Sequence, residues 1–184
     1  KKIVTGYRTT HPRVVSLWRE AEGAAIRAVD APGEVVVFGA KKNLKFVVAG
    51  RYLYLLLPSL RPLVYATPRL VKRATPWGED RLSVEVTGHD SFSRQWKRQP
   101  MYGGLWVENI VQAAARDIMA EGKLRLEEAG YPVLLSVHDE VIAETDLADA
   151  ALLSRFQQIL EMSPSWAQDL PIATEGWKGV RYRK

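Results

Sequence analysis

The sequence predicts an α+β fold in which an antiparallel sheet and a separate β-hairpin pack against long helices. Between residues 34 and 87, β-branched and aromatic residues recur at a period of two, which is typical of strands. Residues 105–129 instead carry apolar side chains at helical spacing. Two short apolar runs within residues 133–144 indicate a hairpin. Because the sequence shows no internal repeat and no low-complexity tract, we expect one compact unit.

The composition limits the classes of function. Hydrophobic residues make up 47% of the 184 residues, which is enough to build a substantial core. There is no cysteine, which excludes disulfides and thiolate metal sites and agrees with a cytoplasmic location. No apolar run has the length of a membrane span, so we expect no membrane partner. The net charge of +5 favours a polyanionic partner, although proteins that bind no nucleic acid also carry such charges.

The first helix is predicted to begin at Thr10-His11-Pro12, with Thr10 as the cap and the proline in the first turn. Apolar residues continue at helical spacing as far as a stop signal, Ala31-Pro32-Gly33. In this context His11 is interpreted as a helix-start residue and not as a catalytic base.

The sheet is predicted from a series of short runs of β-forming residues. A proline-rich break at residues 58–62 separates two of these runs and predicts a hairpin turn. The predicted strands are residues 34–38, 44–48, 51–57, 63–66 and 81–87.

Two basic segments are predicted as loops. Residues 68–79 contain Arg69, Lys72 and Arg73, which indicates either a solvated surface or a segment that lies along phosphates. Residues 91–100 combine three cations with Phe92 and Trp96, a pattern that fits a surface loop and a nucleic-acid contact equally well. His89, in the turn before the second segment, is interpreted as structural.

The longest helix is predicted over residues 105–129 and ends at Gly130, the residue type favoured just past a helix C-terminus. One side of the helix carries an apolar stripe and another carries a polar stripe four residues apart. The polar stripe faces either water or a ligand groove, since Gln112 can donate and accept hydrogen bonds and Arg116 can reach phosphate. The apolar stripe is Val107, Val111, Ala114 and Ile118, and the polar stripe is Glu108, Gln112 and Arg116.

The hairpin at residues 133–144 is predicted as two buried strands joined by a tight turn with the polar tip His138-Asp139-Glu140. A carboxylate held rigidly at such a turn can bind a hard cation such as Mg²⁺. Acidic residues are also common in turns for conformational reasons, so a plain solvated turn stays open at this point. A final amphipathic helix is predicted over residues 147–162, followed by a tail that packs down through Trp166, Trp177 and Tyr182.

Residues 102–118, YGGLWVENIVQAAARDI, are followed about twenty residues later by Val137-His138-Asp139-Glu140. This combination closely resembles family A DNA polymerases, the polymerase I group, and in particular their bacteriophage members. Three further segments agree with the resemblance. They are Tyr7-Arg8 with Pro12 and Trp18, residues 57–65 with the sequence LPSLRPLVY, and the ending at residues 177–184.

The resemblance implies a palm subdomain over residues 34–184, with an antiparallel palm sheet and a catalytic hairpin, preceded at residues 1–33 by a helix from the end of the fingers. It implies template-directed transfer of a nucleotide from a dNTP to a primer 3′-hydroxyl with two Mg²⁺ ions. Asp139 is then a catalytic residue and a metal ligand, Glu140 tunes the site, and His138 contacts the primer end.

For the DNA, the resemblance implies that Gln112 contacts the minor groove at the primer-template junction, where all correct pairs present similar acceptors. Arg61 and Arg116 position the DNA backbone or bases, and Tyr102 lies near the strand. The expected partners are primer-template DNA and dNTP. The expected location is the cytoplasm of a bacterial cell or a phage-infected host.

The sequence also departs from the family. The second catalytic aspartate and the nucleotide-binding helix of the fingers are not recognisable, so we expect a chain that is inactive alone and needs an upstream polymerase segment or a partner chain. The alternatives are a catalytically silent palm-like DNA-binding or assembly subunit and, more remotely, a phosphohydrolase built on His138-Asp139. Leu60 stands where the family hairpin carries glycine, so a turn with positive φ is not expected there.

Overall fold

The computed structural model describes residues 2–74, 80–90, 92–145 and 151–182. The chain forms two compact units, residues 1–113 and 114–184. This division differs from the predicted boundary after residue 33. The assignment of these parts to fingers and palm stays a prediction.

The first unit begins with two helices, α1 (Lys2–Thr10) and α2 (Pro12–Asp30). The sequence analysis predicts α2 correctly, with proline at its first position, but does not predict α1. The predicted cap is wrong. His11 occupies the N-cap position without a side-chain cap bond, whereas Thr10 is the last residue of α1 and its hydroxyl donates to the Gly6 carbonyl at 3.0 Å.

Six antiparallel strands of the described chain form one sheet in sequence order. Alternate residues of the second strand, Leu44, Phe46 and Val48, are buried, as the period-two pattern predicts. The buried face of α2 consists of alanines, which allow the helix backbone to approach the core closely. The strands are β1 (Val36–Phe38), β2 (Leu44–Ala49), β3 (Tyr52–Leu56), β4 (Pro62–Ala74), β5 (Asp80–His89) and β6 (Trp96–Met101).

Aromatic rings form the centre of the core of the first unit. The Phe46 ring stacks on that of Phe38, with centroids 5.2 Å apart, and meets the edge of Trp106 at 5.1 Å. Trp106 lies in helix α3 (Gly103–Glu128), whose N-terminal part belongs to this unit. The completely buried Trp106 side chain therefore attaches the start of α3 to the sheet.

The two basic segments predicted as loops are largely strands. Residues 68–74 continue β4 beyond the irregularity between Ala66 and Arg69, where Thr67 has φ = +47°. Pro68 has no N–H to donate and lies in this irregular stretch, so it does not end the strand. Residues 96–100 lie in β6 and pair with β5. Residues 75–79 and 91 lie outside the described part of the chain.

Three of the basic side chains in these strands make contacts within the sheet. Arg69 forms an ion pair with Glu85 at 2.9 Å. Lys97 forms one with Asp90 at 3.0 Å. The third, Arg98, donates to the carbonyl of Thr67. These contacts account for part of the positive charge of both segments without a nucleic-acid partner.

The turn between β3 and β4 contains an unexpected backbone conformation. The N–H of Leu60 donates to the Leu57 carbonyl at 2.9 Å, and the N–H of Leu57 donates to the Arg61 carbonyl at 3.0 Å. Leu60 has φ = +66°, so the turn takes the left-handed conformation although the residue is not glycine. The expectation that this position avoids positive φ is wrong, because the hydrogen bonds that close the hairpin fix the turn geometry whatever residue occupies it.

We expect Leu60→Gly to raise the free energy of unfolding by about 0.5–1 kcal/mol. The left-handed conformation costs a non-glycine residue about 1–2 kcal/mol, and the extra unfolded-state entropy of glycine offsets part of that gain. The Leu60 side chain is 77% exposed, so little burial is lost. Chemical denaturation measures the effect. Val64→Gly, at an exposed position within β4, is the control and should destabilise the protein.

Tyr65 connects the sheet to α3. Its ring meets the edge of Trp106 at 4.8 Å, and its hydroxyl oxygen accepts a hydrogen bond from Asn109 Nδ2 at 2.9 Å. Burial raises the pKa of the Tyr65 phenol to about 12, and the Asn109 hydrogen bond counteracts part of that rise.

Because the folded state holds the Tyr65 pKa above its unfolded value of 10, the folded state favours the neutral phenol. The resulting stability is complete below pH 10 and is lost as the pH rises toward 12, by about 3 kcal/mol. Tyr65→Phe should remove this loss. Urea denaturation of both proteins at pH 8 and pH 11 measures the difference, and equal pH dependence of the two would contradict the prediction.

The second unit contains the remainder of α3, the hairpin strands β7 (Val133–Val137) and β8 (Glu140–Ala143), and helix α4 (Leu152–Glu161). Helix α3 ends as predicted, since Gly130 has φ = +84°. The described part of the predicted last helix begins at Leu152, and residues 146–150 lie outside the described chain. Residues 183 and 184 of the predicted family-like ending also lie outside it.

Two expectations about burial are wrong. Val111 of the predicted apolar stripe on α3 is 59% exposed. The hairpin strands are not buried on both faces, since Leu134 and Leu135 are 59% and 45% exposed. Within the second unit, Val133 and Val141 pack toward the core formed by Leu126, Tyr131 and Leu152, so this core covers one face of the two-stranded sheet.

None of the helices in the described segments combines the length and apolar character that crossing a membrane requires.

Candidate active site at the hairpin tip

The predicted turn is present. Val137 pairs with Glu140, which leaves His138 and Asp139 as the two turn residues. His138 has φ = +53°, a left-handed conformation of the kind that two-residue hairpin turns require at this position. His138, Asp139 and Glu140 are all exposed. The turn therefore presents one imidazole and two carboxylates to solvent.

Side-chain contacts join β7 to the C-terminal part of α3. The Val133 N–H donates to Glu127 Oε1 at 2.6 Å, and Lys123 Nζ donates to Ser136 Oγ at 3.3 Å. Both partners lie on the last turns of α3. Together with the packing of the inner face, these bonds give the tip a rigid support.

A further residue, Tyr182, lies at the tip. The Tyr182 hydroxyl donates to Glu140 Oε2 at 3.0 Å. This hydrogen bond raises the pKa of the Tyr182 phenol, because the neighbouring carboxylate disfavours the phenolate. The only sequence signal was an aromatic residue in a tail that was expected to pack down. This contact distinguishes Glu140 from Asp139, because the Glu140 carboxylate accepts a hydrogen bond from the C-terminal tail.

The tip fits Mg²⁺ in chemistry but not in number of ligands. Carboxylate oxygens are hard donors of the kind that Mg²⁺ prefers. However, residues 2–74, 80–90, 92–145 and 151–182 contain no group of three or more acidic or histidine side chains able to hold a metal ion. The described residues thus do not form a complete magnesium site by themselves. They also supply no ligand cluster for the phosphohydrolase alternative.

Three predicted DNA-binding residues belong to the first unit. The Arg61 guanidinium donates to the carbonyl of Ala113 in α3 at 3.0 Å and is partly buried. This bond attaches Arg61 to the helix one residue after Gln112, which is exposed. Tyr102 is 58% exposed and immediately precedes α3, where its carbonyl accepts the N–H of Trp106.

The fourth predicted DNA-binding residue, Arg116, belongs to the second unit. Its side chain is exposed on α3 and is available to a ligand in solvent. The following residue, Asp117, is 6% exposed, so its side chain is buried. No contact with DNA tests any of the four roles, which stay predictions.

Fold and tip together define a mixed α/β protein with an antiparallel sheet and an exposed acidic hairpin. The chain is 34% identical over 183 residues to the DNA polymerase of Bacillus phage SP02. The match covers 100% of this chain but 27% of that polymerase, so the chain spans about a quarter of the length of the curated relative. Neither a protein-family model nor a solved structure matches the chain. The similarity supports a relationship to DNA polymerases over the whole chain.

Proposed function

We propose that this chain is the palm portion of a family A DNA polymerase of the bacteriophage type. The complete polymerase would catalyse template-directed transfer of nucleotides from dNTP to a primer 3′-hydroxyl, and this chain is inactive without its other parts. The observation that carries the proposal is the end-to-end similarity to a phage DNA polymerase. The net charge of +5 and the supported acidic hairpin agree with a protein that binds DNA and a divalent cation.

In this proposal Asp139 is one ligand of the Mg²⁺ pair, and the other protein ligands come from residues outside the described chain. Bound Mg²⁺ would supply charge stabilisation at the reacting phosphates. Glu140 tunes the tip while Tyr182 holds its carboxylate, and His138 contacts the primer end. The remaining parts of the polymerase belong to an upstream segment or to a partner chain.

The DNA duplex is proposed to contact α3 and its surroundings. Gln112 donates to minor-groove acceptors, and Arg61, attached to the neighbouring Ala113 carbonyl, acts on the same stretch of DNA. Arg116 and Tyr102 contact the backbone and the strand. Gln112 and Arg116 lie on α3, Arg61 binds its backbone, and Tyr102 directly precedes it.

A chimera tests the proposal. This chain replaces the matching stretch of the Bacillus phage SP02 polymerase, and the purified chimera is assayed for primer extension with Mg²⁺. We expect template-dependent extension. A chimera that folds, as judged by circular dichroism, and binds primer-template DNA without extending it would instead favour the catalytically silent subunit. A folded chimera that neither binds nor extends DNA would overturn both.

A further inference from the structure

A cleft of about 450 Å³ lies between α2 and the turn that joins β1 to β2, within the first unit. It is separate in sequence from the hairpin tip and from all residues assigned above. Arg19 and Arg27 line the cleft from α2, and Lys42 lines it from the turn. Val37, which is 42% exposed, adds an apolar wall.

The cleft concentrates positive charge. Arg19 and Arg27 are eight residues apart on α2, so about 12 Å of helix axis separates them. Within the described chain, the side chains of Arg19, Arg27 and Lys42 form no hydrogen bond and no ion pair. Glu20 also lines the cleft and accepts a hydrogen bond from Ser16 at 3.2 Å. Three cations against one carboxylate in a concave surface attract anions.

The lining of the cleft includes a glycine in the interior of α2. Gly23 lies between the two arginines, and glycine destabilises a helix interior by about 1 kcal/mol relative to alanine. Packing does not require glycine there, since the nearest atom to an added Cβ is Arg27 Nη1 at 3.5 Å, an ordinary contact. The Arg27 guanidinium therefore lies beside Gly23. Gly23 thus keeps space open next to a cation.

The turn between β1 and β2 places a charged residue, Lys42, at a position with an unfavourable backbone conformation. Lys42 has φ = +51°, a conformation that favours glycine, and its N–H donates to the Gly39 carbonyl at 2.9 Å. A strained backbone at a residue that lines a cleft is a reason to consider a binding role.

We propose that this cleft binds the phosphate groups of a nucleic-acid strand or of a free nucleotide. Arg19 and Arg27 donate paired hydrogen bonds to phosphate oxygens, and Lys42 contributes a point charge. This proposal is independent of the proposed polymerase function, because the cleft contains no residue of the hairpin tip.

The absence of cysteine from the sequence permits a local test. In the test protein, Val37→Cys carries an environment-sensitive fluorophore on the wall of the cleft. In the control protein, the fluorophore is attached to Val64→Cys, an exposed position on β4 outside the cleft. The probes are a twelve-nucleotide oligothymidine, ATP and inorganic pyrophosphate. A response at Val37→Cys to the oligonucleotide indicates a strand as the ligand, and a response to ATP or pyrophosphate alone indicates a free phosphate compound.

Charge removal then tests the assignment. We expect Arg19→Gln with Arg27→Gln to weaken binding at least about tenfold, since each lost charge-assisted hydrogen bond contributes a comparable factor. For the oligonucleotide, the slope of log affinity against log salt should fall by about 1.4, or 0.7 for each lost phosphate contact. Arg13→Gln, an exposed arginine of α2 that does not line the cleft, should change neither quantity.

Gly23→Leu tests the shape without changing charge. Leucine is a strong helix former, so the melting temperature should stay the same or rise by about 2–4 °C. The leucine side chain occupies space beside the Arg27 guanidinium. The apparent affinity that the fluorophore at Val37→Cys reports should therefore fall at least fivefold. Binding that survives both Gly23→Leu and the double arginine variant, or no response of Val37→Cys to any probe, would overturn the proposal.

Discussion

Asp139→Asn is expected to lower the rate of primer extension by about a thousandfold. Asparagine preserves the size of the side chain but removes the negative charge, and each metal contact in such sites contributes several kcal/mol to the transition state. The side chain is exposed at a two-residue turn, so the substitution should leave the fold intact. The measurement is kcat for single-nucleotide addition by the phage SP02 chimera at saturating Mg²⁺.

Two comparisons make this result specific. Glu144→Gln removes an exposed carboxylate at the base of the same hairpin and should keep the rate within about twofold, since a change away from the reacting groups removes no transition-state contact. The melting temperature of the Asp139→Asn variant should equal that of the unmodified chimera. An Asp139→Asn variant with nearly full activity would remove Asp139 from the metal site and with it the proposed two-metal role of the tip.

Local signals in the sequence were strong enough to place the elements around the candidate site. Pro12 marked the start of α2, Gly130 marked the end of α3, and the apolar runs on either side of Asp139 placed the hairpin turn correctly. Each of these signals acts within a few residues. A proline at the first helical position or a glycine past the last one acts through its own φ angle.

The failures of the sequence analysis have a different cause. Residues 68–79 are predicted as a loop, but an irregularity in the pairing of β4 with β5 accommodates Pro68, and β4 continues to Ala74. Leu60 was expected to avoid positive φ, but the hydrogen bonds that close the hairpin impose it. In both cases contacts with a neighbouring strand override the preference of a single residue.

The contacts of the candidate site were even less accessible to sequence reasoning. Tyr182 reaches Glu140 across 42 positions, and Arg61 reaches the Ala113 carbonyl across 52. No local periodicity encodes pairs so far apart. The spacing of Arg19 and Arg27 is readable from the sequence, but their convergence with Lys42 follows only from the position of the β1–β2 turn against α2.

Gly103→Ala is expected to destabilise the first unit by about 3 kcal/mol, which lowers its melting temperature by about 10 °C. A Cβ at this position would lie 2.1 Å from the Trp18 carbonyl oxygen and 2.6 Å from its carbonyl carbon. Both are backbone atoms of α2, so no side-chain rotation can relieve the overlap. Thermal unfolding followed by circular dichroism measures the loss.

The overlap must be relieved by moving the start of α3 away from α2. Trp106 lies one turn beyond Gly103 and is completely buried against Phe46 and Tyr65, so this movement would loosen the aromatic centre of the core. Gly104→Ala is the matched control. Its added Cβ would meet the Tyr102 ring at 3.1 Å, and that exposed ring can shift, so stability should change little. If both variants melt within about 2 °C of the unmodified chain, far less than the roughly 10 °C expected for Gly103→Ala, the close approach of α2 and α3 does not stabilise the unit.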